Sequence, residues 1–152
     1  MKILIISFIA IGLVLVGCSQ VATNSNAEKS NTTKQRVYSS PWDGKSIIVE
    51  QRNNNEDYET VNEITDADEV KTLIKALGNA DWEENVKVDI RPPDYRFSWN
   101  TFTHSIWINQ EYERLELLIE GQSNYGTLTV DSSKIVFKIL TGEKLDDWEI
   151  KK

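Results

Sequence analysis

Leu15-Val16-Gly17-Cys18 closes a short apolar N-terminus, and this tetrapeptide limits what the rest of the chain can build. Met1-Lys2 brings one positive charge, and residues 3–16 are apolar except for Ser7 and Gly12, the pattern of a secretory leader. About fourteen such positions fall short of the roughly twenty that a membrane-spanning helix needs. A retained signal anchor or a buried core helix is the competing reading; the shortness of the run and the polar residues directly after Cys18 weigh against both. The pattern therefore predicts a leader over residues 1–17, cleavage before Cys18 and a diacylglycerol thioether on its sulfur, two acyl chains being enough for stable anchoring. The body is then expected on the outer face of the cell membrane.

Cys18 is the only cysteine. If it carries lipid, the exported part has neither a disulfide framework nor a thiol nucleophile, and its stability must come from an ordinary core. Loss of the leader removes one lysine and no acid, taking the formal charge from −7 to −8. A body of that charge is repelled by nucleic acid and by anionic headgroups, so no nucleic-acid partner is expected and the lipid must do the membrane binding.

Residues 18–35 read as the lipidated cysteine and a polar tether. They contain no aromatic residue, and beyond Val21 and two alanines nothing apolar that could start a core. Asn31-Thr32-Thr33 fits the glycosylation pattern, but in such a tether it is linker chemistry. Residues 36–152 have the size of one domain and hold all five tryptophans.

Within that domain, Ser46-Ile47-Ile48-Val49-Glu50 is β-branched and predicts a strand, the Asn53-Asn54-Asn55 run a turn, and residues 59–64 the returning strand of a hairpin. Asp66, with Glu69 three residues on, predicts a helix start; Val70, Leu73, Ile74 and Leu77 form its apolar stripe, and Gly78 supplies a stop. The acids Asp66, Asp68 and Glu69 suit the positive end of the helix dipole better than a metal. Further strands are predicted over residues 85–90, 95–100, 104–109 and 114–120, with a fifth over 125–130, joined by connections short enough for an antiparallel meander. Asp131-Ser132-Ser133 starts a second helix with Ile135, Val136, Ile139 and Leu140 as its stripe, and Thr141-Gly142 ends it. Leu145 and Trp148 are expected to pin the tail. The fold class that follows is α+β: a twisted antiparallel sheet of five to seven strands, two helices on one face and the other face partly open.

The most distinctive stretch is Arg91-Pro92-Pro93-Asp94-Tyr95-Arg96-Phe97-Ser98-Trp99-Asn100, whose prolines hold the residues before them extended. Together with Trp107-Ile108-Asn109 and the Leu-Glu-Leu-Leu-Ile-Glu run at 115–120, it resembles the YhfM-like domain of small lipoproteins from Bacillus and related bacteria, over about residues 64–145. The resemblance rests on aromatic and turn residues, implies surface lipoprotein status and carries no functional residue across.

If the strands over 95–100 and 104–109 are neighbours, alternation brings Arg96, Asn100, Trp107 and Glu116 together on the open face, an aromatic platform ringed by hydrogen-bonding groups, with Arg91 at its edge. The plainer alternative, which outweighs it, pairs Arg96 with Glu116 across strands and packs Trp107 under a loop. His104, the sole histidine, is the one side chain that ordinarily titrates near neutrality. No nucleophile elbow, phosphate loop, calcium loop or zinc ligand set accompanies it, and the clusters Glu56-Asp57-Tyr58-Glu59 and Asp146-Asp147 read as solvated turns. No cofactor, metal or catalytic residue is therefore expected. The first expectation is a non-catalytic binding or accessory module that contacts a cell-envelope protein or polymer. An envelope-polymer hydrolase using paired carboxylates and His104, or an accessory subunit of a transporter or sensor, are the alternatives; the domain is too small for a two-lobed transport receptor.

Overall fold

The computed structural model describes residues 37–84, 86, 91–122 and 124–148. The predicted leader, Cys18, the tether and all but Val86 of the strand expected over residues 85–90 lie outside them. The architecture is the expected α+β class, a seven-stranded antiparallel sheet with two helices packed on one face.

The first hairpin is as its sequence dictates: β1 (Ile47–Arg52) pairs with β2 (Tyr58–Ile64). Its turn is organised by Asn53, whose side-chain oxygen accepts from the amides of Asn55 and Asp57 at 2.9 and 3.0 Å. Val49 faces Asn62 and Glu50 faces Thr60, so Val61 is an extra residue that bulges the outer strand. Helix α1 (Ala67–Gly78) starts where the capping pattern places it, Asp66 accepting from the amides of Asp68 and Glu69 at 2.9 Å each. Val70, Leu73 and Leu77 are buried along it.

Strand β3 (Asp81–Glu84) follows at once. Its Asp-Trp-Glu-Glu sequence has one apolar residue and gives no strand signal, and it was absent from the expected elements. It forms through tertiary pairing at the sheet margin against β7 (Asn124–Thr127), and short, acidic edge strands of this kind resist further strand addition. The approach is close: a Cβ on Gly126 would lie 3.0 Å from the Trp82 ring and 3.1 Å from Leu117, so only glycine lets Trp82 cross there.

β4 (Tyr95–Trp99), β5 (Phe102–Asn109), β6 (Arg114–Ile119) and β7 form the expected meander. The full order is β2-β1-β4-β5-β6-β7-β3, so the chain between β3 and β4 passes from one margin to a strand beyond β7, β6 and β5. β7 is shorter than expected because Val130 already belongs to helix α2 (Val130–Thr141). That helix is capped by Thr129, not by the residues at 131–133, and ends at Gly142 with a positive φ of 77°.

Of its expected stripe Val136, Ile139 and Leu140 are buried, and Ile135 alone is not. Ser133, Val136, Phe137 and Leu140 point inward at i, i+3, i+4 and i+7, which turns Ile135 outward at 48% exposure. Ser133 is buried because its hydroxyl accepts the Leu115 amide at 2.8 Å, and Phe137 meets the Tyr95 ring edge-on at 5.9 Å. The two helices pack on each other, and α2 also lies against β6 and β2. The core runs through Val49, Phe97, Ile106 and Leu117 on the helix-covered side of the sheet. Leu145 is buried and Trp148 packs on the core and hydrogen-bonds Tyr95, so the tail is pinned as expected.

Candidate functional site

Alternation assigns the other face of the sheet. Register pairs Arg96 with Glu50 on β1 and with Ser105 on β5, and pairs Trp107 with Glu116 on β6, so all of these share the side away from the helices.

One end of that side is built around Asp94. The backbone at this residue extends β4 between its two neighbours: the Asp94 amide donates to Ile106 O and its carbonyl accepts from the Arg52 amide, both at 2.9 Å. Its carboxylate accepts two parallel bonds from the Arg91 guanidinium, at 2.5 and 2.7 Å, and a third from the Ile108 amide at 2.8 Å. Charge-assisted, two-pronged pairs of this kind are among the stronger hydrogen bonds a protein makes. Arg52 lies 3.8 Å from the same carboxylate. Tyr58 donates its hydroxyl to Pro93 O at 2.8 Å, and the Trp107 indole donates to Arg91 O at 2.7 Å. Arg91 to Asp94 therefore form a strap held down at each residue's backbone or side chain except Pro92.

Next to the strap, the Arg96 guanidinium lies 4.0 Å from the centre of the Tyr58 ring and donates through Nε to Glu50 at 2.6 Å. Its side chain stays 39% exposed, and its terminal nitrogens have no partner among the described residues. The hydrogen bond that Arg96 donates to Glu50 raises its pKa and those that Arg91 donates to Asp94 raise Arg91's, so both remain charged. Burial lifts the Tyr58 hydroxyl above its ordinary range against the pull of Arg52 and Arg96, which keeps it a neutral donor. Three guanidiniums thus act on one tyrosine, with Asp94 and Glu50 between them and the carboxylates of Glu116 and Glu120 near enough to act on Arg91 and Arg96 in turn, a concentration of arginines on an acidic chain.

Of the five residues expected to form an open-face platform, the fold brings only Arg91 and Arg96 into this patch. Trp107 is not presented to solvent: the strap covers it, leaving 8% of it exposed. Arg96 pairs with Glu50 and not Glu116, because β1 is its neighbour and β6 is one strand further away. Glu116 accepts from the Asn109 side chain at 2.7 Å and bonds the Tyr125 hydroxyl, whose pKa is raised by burial and then by that carboxylate. Asn100 sits in the β4–β5 turn with φ 52°, at the opposite end of β4. Arg52 and Tyr58 were missed. Their signal was the first hairpin, where Glu50 and Arg52 alternate onto one face and Tyr58 pairs with Arg52.

His104 lies on the helix-covered side, fully buried, stacked at 4.8 Å on Phe97. Nδ1 meets the Phe102 carbonyl at 3.1 Å, which can only accept, so Nδ1 carries the proton and Nε2 accepts from the Tyr38 hydroxyl at 3.0 Å. Burial pushes its pKa down to about 4 and the Phe102 carbonyl pulls weakly the other way. The ring is neutral at pH 7 and both nitrogens are occupied. Among the described residues no three His, Cys, Asp or Glu side chains are placed to hold a metal, and no helix is long and apolar enough to cross a membrane.

A second concavity of about 490 Å³ lies between α1 and the segment before β1, lined by Tyr38, Trp42, Trp99 and Ile74 with Lys71 and Lys75. This is within the size range of small-molecule sites. No protein-family profile, curated protein or solved structure matches the chain.

Proposed function

We propose that this chain is a lipoprotein anchored through Cys18 to the outer face of the cell membrane, whose folded body is a non-catalytic module that binds an anionic cell-envelope partner through Arg52, Arg91 and Arg96. The leader and Leu15-Val16-Gly17-Cys18 support the location, in keeping with the resemblance to YhfM-like lipoproteins. The observation that carries the binding role is the gathering of three arginines around Tyr58 on the uncovered end of the sheet, in a chain with 24 acids against 17 bases. Arginine forks match carboxylate and phosphate oxygens in two-pronged geometry, and Arg96 keeps terminal donors to offer. The hydrolase alternative finds no support in His104, whose nitrogens are both engaged inside the core.

Two measurements test the reading. Cys18→Ala should move the protein from the membrane fraction to the medium and abolish acyl labelling; retention with label intact refutes the anchor. Arg96→Glu combined with Arg52→Glu should weaken binding to phosphate- or carboxylate-bearing wall polymers by at least about tenfold at low salt, the wild-type affinity itself falling as salt screens the exposed charges. Unchanged binding by a folded double variant would remove the patch from the role.

A further inference from the structure

The groove beside α1 has a chemistry of its own, independent of the arginine patch. Its floor is aromatic, yet every polar tip of those rings is turned to an internal partner. The Trp42 indole donates to Lys45 O at 2.7 Å, the Trp99 indole to Val37 O at 3.2 Å, and the Tyr38 hydroxyl is bound to His104 at 3.0 Å. Sugar and peptide ligands are recognised through such donors as well as through ring faces, and here the rings have only carbon surface left. Trp99 is sealed beneath the groove, and the half-buried Tyr38, Trp42 and Ile74 make a floor suited to an alkyl chain.

The rim is of the opposite character. Lys71 and Lys75 are exposed, one helical turn apart, and neither has an ion-pair partner within 4 Å among the described residues. No acid lines the groove. In a chain of net charge −7, an apolar trough edged by two uncommitted ammonium groups and no carboxylate is a local reversal of sign. Lysine stems can lie along an apolar body while their heads meet a charge at its end.

We infer that the groove between α1 and residues 38–42 binds a long-chain fatty carboxylate, the alkyl chain lying on Tyr38, Trp42 and Ile74 and the carboxylate meeting Lys71 and Lys75. The assignment does not depend on the partner proposed for the open face.

The test uses the full chain carrying Cys18→Ser, so that no acyl group is attached, titrated with dodecanoate below its micellar range by calorimetry and by tryptophan fluorescence. Saturable one-to-one binding is expected, with dodecyltrimethylammonium and butyrate failing to bind and dodecanol binding more weakly. Lys71→Glu with Lys75→Glu, both at exposed positions, should lower the affinity by about tenfold or more, as reversing two facing charges implies. Ala67→Trp, an exposed groove-lining position at the helix start, should block the site while thermal melting reports an intact fold. Absence of dodecanoate binding, equal binding of the cationic chain, or binding that survives both variants in folded protein would overturn the assignment. Loss of binding on Arg96→Glu would move the ligand to the open face, and a dimer that Ala67→Trp dissociates would give the groove to a second copy; each also overturns it.

Discussion

On the helix-covered side of the sheet the His104 ring is held neutral by burial, while on the other side, one strand pair away, Arg96 stays charged with donors to spare. The backbone pairing is the same for both; what differs is the layer above. Under α1 and α2, polar atoms survive only where a partner is built in, as for His104 with Tyr38 and Phe102 and for Ser133 with the Leu115 amide. Among the described residues no helix covers the other side, and its tryptophan is sheltered instead by four residues tied down around Asp94. One side is stabilised by packing, the other by charge-assisted hydrogen bonds, chiefly to Asp94 and also to Glu50.

If that contrast is right, truncation should hurt most under the helices. Phe137→Ala removes a fully buried ring and its edge contact with Tyr95, and should cost about 3–5 kcal/mol by chemical denaturation. A cost below about 1 kcal/mol would mean that the core is not where the burial places it.

Acid should act next, and through the same side. The folded His104 pKa, about 4, lies below the roughly 6.5 of the unfolded chain, so the unfolded state binds the proton more readily. The sign is therefore a loss of stability as pH falls from about 6.5 toward 4, reaching about 3 kcal/mol, with the contribution fully present above that window. His104→Phe should flatten this part of the stability profile even if it lowers the whole curve; an unaltered slope would show that the ring is not the sensor.

On the open side, Asp94→Asn leaves the volume unchanged but gives up the two-pronged pair with Arg91. The expected loss is about 2 kcal/mol, with a red shift of tryptophan emission as the strap lifts from Trp107. A stability loss without the shift would separate the strap from the carboxylate and weaken the comparison.

How much of this was readable in advance depended on whether neighbours in sequence or in space decided it. The first hairpin, the Asp66 cap and the meander from Tyr95 to Thr127 follow from local chemistry: an asparagine turn, a capping side chain, and period-two alternation. The start of α2 was misplaced by two residues because Thr129, Asp131 and Ser132 are all competent caps, and only packing of Ser133 on Leu115 chooses among them. β3 was illegible because its strand character comes from β7 beside it. The site is less local: Arg96 lies on the open face as alternation requires, yet its partner comes from β1 and not from Glu116, while Trp107 packs under the strap as the plainer of the two readings has it and not on an open platform.

What the chain alone determines is therefore periodic and local: an apolar N-terminal run that stops just before Cys18, the caps, the turns, and which residues of each strand share a face. Strand order is different in kind. It depends on long-range pairing, in which β1 joins β4 and β3 crosses to the far margin, and no period of two or of 3.6 residues encodes that choice. Tertiary structure thereby decided which charges meet, which rings are sealed and where a groove remains, because side chains far apart in sequence acquire their chemistry from whatever the fold lays against them.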